Sequence, residues 1–180
     1  MRTAVLGGGP GGLNFAISLK ARDPAHEVTV IERNKPDDTF GWGVVLSDET
    51  LENLAGNDPV SAETIRNNFA YWDDIAVHYR GTVQVSGGHG FSGIGRKRLL
   101  RILQRRAREL GVTIKFETEA EPVDAYAAHY DLVVAADGVN SKARAAHADV
   151  FKPDIDVRAC KYIWLGTHQK FDDAFTFIFE

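Results

Sequence analysis

Cysteine is nearly absent from the sequence. Cys160 stands alone, so no disulfide can close within the chain, and a reducing, cytoplasmic compartment is the expected home. There is no basic excess either. The 21 Lys and Arg residues face 25 Asp and Glu, and the formal charge of −4 argues against nucleic acid as a main partner. No apolar run approaches the ~18 residues that a membrane-crossing helix needs, so no membrane partner is expected. The opening MRTAVL reads as the start of a strand and not as a signal peptide. Internal repeats, low-complexity tracts and linkers are missing. His26, His129, His147 and His168 lack ligand-like spacing, and no Ser/His/Asp triad stands out, so neither a metal nor a hydrolytic site is expected.

What is present is an α/β pattern in 180 residues, long enough to bury roughly 70% of the unfolded surface as one domain. Residues 3–6 form an apolar run. It ends in Gly7-Gly8-Gly9-Pro10-Gly11-Gly12, and a helical pattern with Leu13, Ala16, Ile17 and Lys20 follows, closing near Asp23-Pro24. Residues 28–31 give a second buried-type strand, completing a βαβ unit of about 30 residues. Ser47 or Asp48 can cap a helix through Leu54, and Ser61 with Thr64 fits another helix start running to about Phe69. Residues 75–79 alternate, and Gly81 allows a hairpin turn into 82–85. Residues 96–110 form the clearest amphipathic helix, with Leu99, Ile102, Leu103, Ala107 and Leu110 on one face and Gly111 at its end. Strands are expected at 112–116, at 132–135 as a buried strand, and at 162–165 and 175–179, the last two joined by GTHQKFDDA. The final AFTFIFE stops inside an aromatic strand pattern, so the chain is expected to be the N-terminal part of a longer one.

The first glycine turn has a context that gives it chemistry. Gly7-x-Gly9-x-x-Gly12 follows a strand, opens a helix with Pro10 in its first turn, and has an acid, Glu32, twenty residues after Gly12. Gly7 permits a tight turn, Gly9 lets the backbone approach a pyrophosphate, and Gly12 lets helix and strand pack closely. Backbone N–H groups at the helix start face the phosphates. Glu32 can accept hydrogen bonds from both hydroxyls of an adenosine ribose and disfavours a 2′-phosphate, an exclusion that Arg33 beside it weakens slightly. A solvent-facing Glu after an ordinary glycine turn is the competing reading. The motif alone does not separate FAD from NAD.

A second turn, Asp137-Gly138 in VVAADGVNSKAR, breaks another apolar run, and Arg96 opens the amphipathic helix. D-G is a common turn, and Arg96 is one of many charges in RKRLLRILQRRAR. A cation has no dipole reason to sit at a helix start, but a phosphate-bearing ligand would supply one. In order, the glycine turn, Glu32-Arg33, Arg96-x-x-Leu99-x-x-x-Leu103 and Ala136-Asp137-Gly138-x-x-Ser141-x-x-Arg144 resemble the group A flavoprotein monooxygenases, the aromatic hydroxylases with the p-hydroxybenzoate hydroxylase fold. DDTFGWGVVLSDETLENL, SGGHGFSGIGRKRLL and CKYIWLGTHQKFDDAFTFIFE resemble the branch that holds salicylyl-CoA 5-hydroxylase and 2-aminobenzoyl-CoA monooxygenase. GWGVVL and the KYIW segment are shared with an indole-type tryptophan hydroxylase of that branch.

The resemblance implies a Rossmann-like FAD-binding domain with a parallel sheet, plus the beginning of an antiparallel substrate-domain sheet. Residues 1–70 and 96–150 would be nucleotide-binding elements, and 71–95 and 158–180 substrate-domain strands. It also implies FAD as cofactor and NADH or NADPH as electron donor. Oxygen would reach an aromatic ring through a flavin C4a-hydroperoxide, with an aryl-CoA thioester as expected substrate and an indole as the alternative. Asp137-Gly138 would lie near the FAD pyrophosphate and the nicotinamide nucleotide, and Arg96 near the ribityl–phosphate region. The cofactor carries the hard chemistry, which accounts for the missing triad. Two departures stand against this. The arginine that many members carry around 40–44 is replaced by Phe40-Gly41-Trp42-Gly43-Val44, where backbone amides at Gly41 and Gly43 could substitute, and the later Gly-Asp fingerprint is absent. A non-catalytic ADP-binding fragment is therefore a second reading. An NAD-dependent dehydrogenase is a third, but it would have no use for Arg96 and Asp137-Gly138 in this arrangement.

Overall fold

The computed structural model describes residues 1–168 and 174–179. In chain order it runs β1 (Arg2–Leu6), α1 (Pro10–Arg22), β2 (Glu27–Ile31), β3 (Gly43–Ser47), α2 (Asp48–Asn57) and α3 (Pro59–Arg66). It continues with β4 (Ala70–Trp72), β5 (Asp74–Tyr79), β6 (Thr82–Ser86), β7 (Phe91–Gly95), α4 (Arg96–Glu109) and β8 (Thr113–Lys115). A 3₁₀ turn (Val123–Tyr126) precedes β9 (Leu132–Ala135), α5 (Lys142–Ala146), α6 (Ala148–Phe151) and β10 (Ala174–Phe179).

These elements form two compact units. The first, Met1–Thr39 with Leu99–Tyr162, is built on a four-stranded sheet in the order β8-β2-β1-β9, every pair parallel. Alternation along β1 separates its faces. Val5 points toward α1, beside Gly12, and Leu13 and Ile17 of α1 are fully buried. Each such side chain contributes about 1.5–3 kcal/mol of burial. Ala4 and Leu6 point the other way with Ile31, and Val123, Tyr126, Tyr130 and Val133 cover them. Lys20 is buried at the end of α1 because its Nζ donates to the carbonyls of Pro24 and His26, which holds the turn into β2. β9 is only partly buried, because it is the edge of the sheet and not an interior strand as expected.

The second unit, Phe40–Arg98 with Ile163–Glu180, contains two small sheets. One is antiparallel, in the order β3-β7-β4. The other, β10-β5-β6, is mixed: β5 and β6 form the expected hairpin, but β10 runs parallel to β5. The hairpin turns through Arg80 and Gly81, both at positive φ, as a two-residue loop that follows the strand twist. Phe175 of β10 packs on Trp72 and Phe91, at ring distances of 5.9 and 5.6 Å.

Several sequence expectations change. Residues 40–98 pack in the second unit. α3 is capped by Asp58, whose carboxylate accepts from the Ser61 N–H and hydroxyl, so Ser61 lies inside the helix, which ends at Arg66 and not near Phe69. Residues 162–165 form no strand, and Tyr162 and Leu165 are about four-fifths exposed. The polar connection expected after them lies largely outside the described residues. β4 and β7 are strands that sequence pattern did not reveal, FSGIG being too rich in glycine to read as one.

Candidate nucleotide-binding site

The site grows from the C-terminal end of β1. Gly7 has φ +115°, a conformation that side chains resist, and a Cβ there would lie 2.7 Å from the Ala136 carbonyl carbon. The first glycine turn thus packs directly on the start of the second, at the ends of the adjacent parallel strands β1 and β9. β2 leaves on the other side of β1, so this is a point where strand order reverses, the usual ligand crevice of an open parallel sheet.

Gly9 is the N-cap of α1 in extended backbone, with Pro10 in the first turn. No side chain caps the helix and no acid lies in its first turn, so side chains leave its N–H groups open. A Cβ on Gly9 or Gly11 would meet nothing within 4 Å, whereas one on Gly12 would press on the Gly7 carbonyl oxygen and lie 3.1 Å from Val5 Cγ1. Gly7 and Gly12 are therefore packed positions, and Gly9 faces open space.

Glu32 follows β2 and turns back to this loop. Its Oε2 accepts from the Gly8 N–H at 2.7 Å, and its Oε1 from the Asn34 N–H and Nδ2, both at 2.8 Å. Neither Gly8 nor Asn34 stood out in the sequence. Gly8 is the unspecified position of the fingerprint, yet a Cβ there would sit 2.9 Å from Glu32 Cβ. Arg33 is exposed, and its charge acts on Glu119, which also pairs with Lys142 at 2.6 Å. The Lys142 hydrogen bond and charge lead in holding the Glu119 carboxyl below its ordinary range.

Asp137 has a structural role in its own turn. Its Oδ2 accepts from the N–H groups of Lys142 at 2.7 Å and Ala143 at 3.3 Å. Burial pushes its carboxyl up, but the Ser141 hydroxyl and the backbone amides together hold it below the ordinary aspartate value. Oδ1 is buried without a hydrogen-bond partner, a polar atom suited to a ligand hydroxyl or amide. Gly138 follows at φ +87°, and Ser141 caps α5 by accepting from the Arg144 N–H at 3.0 Å.

Arg96 belongs to the second unit and is described within it. It opens α4, its N–H donates to the Trp42 carbonyl at 3.0 Å, and its Nε is buried without a partner. The loop lacking the family arginine is held by aromatic rings: Trp164 lies over Gly41, and Trp42 over Gly166. Gly43 begins β3 opposite Gly95. His89 pairs with Ser86 at 2.8 Å on the exposed hairpin end, and His78 is half-buried on β5. Among the described residues no cluster of His, Cys, Asp or Glu could hold a metal, and no helix is long and apolar enough to cross a membrane.

Comparison with known proteins gives the same direction. Residues 1–152 match the family described as FAD binding domain. The whole chain is 46% identical to salicyloyl-CoA 5-hydroxylase of a Streptomyces species, covering 34% of that protein. Over 92% of the chain it is 36% identical to 3-hydroxy-4-methyl-anthranilyl-[aryl-carrier protein] 5-monooxygenase of Streptosporangium sibiricum, covering 46% of it. The chain thus spans about a third to a half of the length of these relatives. Among solved structures, the tetrameric form of 2-methyl-3-hydroxypyridine-5-carboxylic acid oxygenase is 27% identical with a TM-score of 0.59, over 68% of this chain and 33% of that one. The chain belongs to the FAD binding domain family and is a relative of aromatic hydroxylases and monooxygenases.

Proposed function

We propose that the protein carrying this chain is an FAD-dependent hydroxylase that inserts one atom of O₂ into the ring of an aromatic thioester. Salicylyl-CoA or 2-aminobenzoyl-CoA is the substrate class, and NADH or NADPH the donor. The observation that supports the flavin half of this reading is the close approach of Gly7 to the Ala136-Asp137 backbone, which brings the two turns together. The substrate half rests on likeness: two relatives bear names in which the aromatic acid is attached to CoA or to a carrier protein.

The residues present fit such a cofactor. The open α1 start with Gly9 and Pro10 would take the pyrophosphate, Glu32 the adenosine ribose, and the unpartnered Asp137 Oδ1 a donor on the ligand. The buried, unpartnered Nε of Arg96 suits an anionic group. FAD when bound supplies the acceptance of electrons and the activation of oxygen. The balance is ring C–H, O₂, NAD(P)H and one proton giving ring C–OH, NAD(P)⁺ and water. The chain's own work is to bind and orient. Gly7, Gly12 and Glu32 fix the turn, and Asp137 through Lys142 and Ala143 fixes the second turn, so that ligand groups meet preset donors and acceptors.

The test is made on the full-length protein. Purified with FAD, it should oxidise NADH or NADPH faster when an aryl-CoA is added, with hydroxylated thioester accumulating in step. Oxidation indifferent to every aryl thioester, in a protein that holds FAD, would remove the substrate half of the proposal. Failure to bind FAD would remove both halves.

A further inference from the structure

The Glu32 carboxylate is already heavily engaged by the protein. Oε1 accepts the Asn34 N–H and the Asn34 Nδ2 amide, each at 2.8 Å, and Oε2 accepts the Gly8 N–H at 2.7 Å. An ionised carboxylate offers about four lone-pair positions, two on each oxygen. Oε1 is therefore filled, and a single position remains on Oε2, beside the glycine turn.

We propose that Asn34 is a positioning residue that decides how the ribose is read: by filling Oε1, it leaves Glu32 one acceptor position, on Oε2, for one ribose hydroxyl. This rests on the nucleotide reading proposed above. The two hydroxyls of the ribose are then unequal. One gives a charge-assisted hydrogen bond to Oε2, and the other finds no free position on this carboxylate. The clamp also fixes where that position lies. Three hydrogen bonds from two chain segments hold the carboxylate, and the absent Cβ of Gly8 lets Glu32 lie against the loop. A ribose 2′-phosphate would bring oxygens and negative charge, and no donor, to the same place. Asn34 thus sharpens the preference for an unphosphorylated ribose diol and chooses between its two hydroxyls.

The experiment is calorimetry on the full-length protein with FAD, and with ADP, 2′-deoxy-ADP and 3′-deoxy-ADP as probes freed of the flavin. In the unaltered protein, loss of one hydroxyl should weaken ADP binding roughly tenfold and loss of the other less than about twofold. In Asn34→Ala a position on Oε1 is released, and the two losses should become comparable. Equal penalties in the unaltered protein overturn the inference without any variant. An asymmetry that persists in Asn34→Ala overturns it too, because a purely structural clamp would weaken all three probes by one factor. An unaltered protein that binds neither FAD nor ADP overturns the nucleotide reading and this inference with it. FAD binding with equal hydroxyl penalties overturns the inference alone.

Discussion

At the scale of single residues, the glycines of one motif have different tasks, and substitution separates them. Gly7→Ala combines a positive φ with a collision against the Ala136 backbone, so it should lower folding stability by about 2 kcal/mol or more in urea denaturation. Gly9→Ala meets no atom within 4 Å and keeps a favourable backbone. It should change stability by less than about 1 kcal/mol, and yet weaken FAD binding, because its methyl group enters the open space before α1. Equal effects of both substitutions on stability would contradict this division. Spacing alone singled out Gly7, Gly9, Gly12 and Glu32. Gly8 and Asn34 were hidden because their importance comes from the chain folding back onto Glu32, a contact between segments that no local pattern contains.

Asp137 gives a pH dependence with a definite sign. Its carboxyl in the folded chain is held below the ordinary aspartate value near 3.9, with burial opposing and the Ser141 hydroxyl and backbone amides prevailing. A depressed folded-state value means that its stabilisation is complete above the unfolded value and is lost as pH falls through the folded one. Denaturation midpoints should therefore fall between neutral pH and pH ~3, and Asp137→Asn should be less stable at neutral pH with a smaller fall. An Asp137→Asn protein with the unaltered pH profile would show that the carboxylate does not hold the turn.

At the scale of elements, strong period and special turn residues were legible, and pairing was not. α4 was plain from its apolar spacing, and the structure buries Leu99, Ile102, Leu103 and Ala107 as that spacing requires. Leu103→Ala should cost about 2–5 kcal/mol, and Arg105→Ala on the exposed face about 0.5 kcal/mol or less, by thermal or urea denaturation. Comparable losses from both would mean that α4 does not pack by this face. Residues 162–165 read as a strand because Tyr, Ile, Trp and Leu favour one, but propensity alone does not make a strand and the structure forms none there. The reverse holds for β7, whose glycines conceal it and whose two neighbours, β3 and β4, make it the middle of a sheet.

At the scale of the whole molecule, the parallel unit was foreseeable from the βαβ pattern, whereas the grouping of residues 40–98 in one unit is written in no local pattern. That grouping depends on β3 pairing with β7, about fifty residues away in sequence. In the first unit the two glycine turns meet at the ends of β1 and β9, and in the second the Arg96 Nε is buried without a partner; the aromatic substrate is proposed from the names of relatives. The central claim is that this crevice serves flavin-dependent hydroxylation of an aryl thioester. It is tested most directly by NADH or NADPH oxidation in the full-length protein with FAD, measured with and without salicylyl-CoA or 2-aminobenzoyl-CoA. The account predicts a flavin-bearing protein whose oxidation accelerates with one of these thioesters and yields its ring-hydroxylated product. A colourless full-length protein with no affinity for FAD would contradict it.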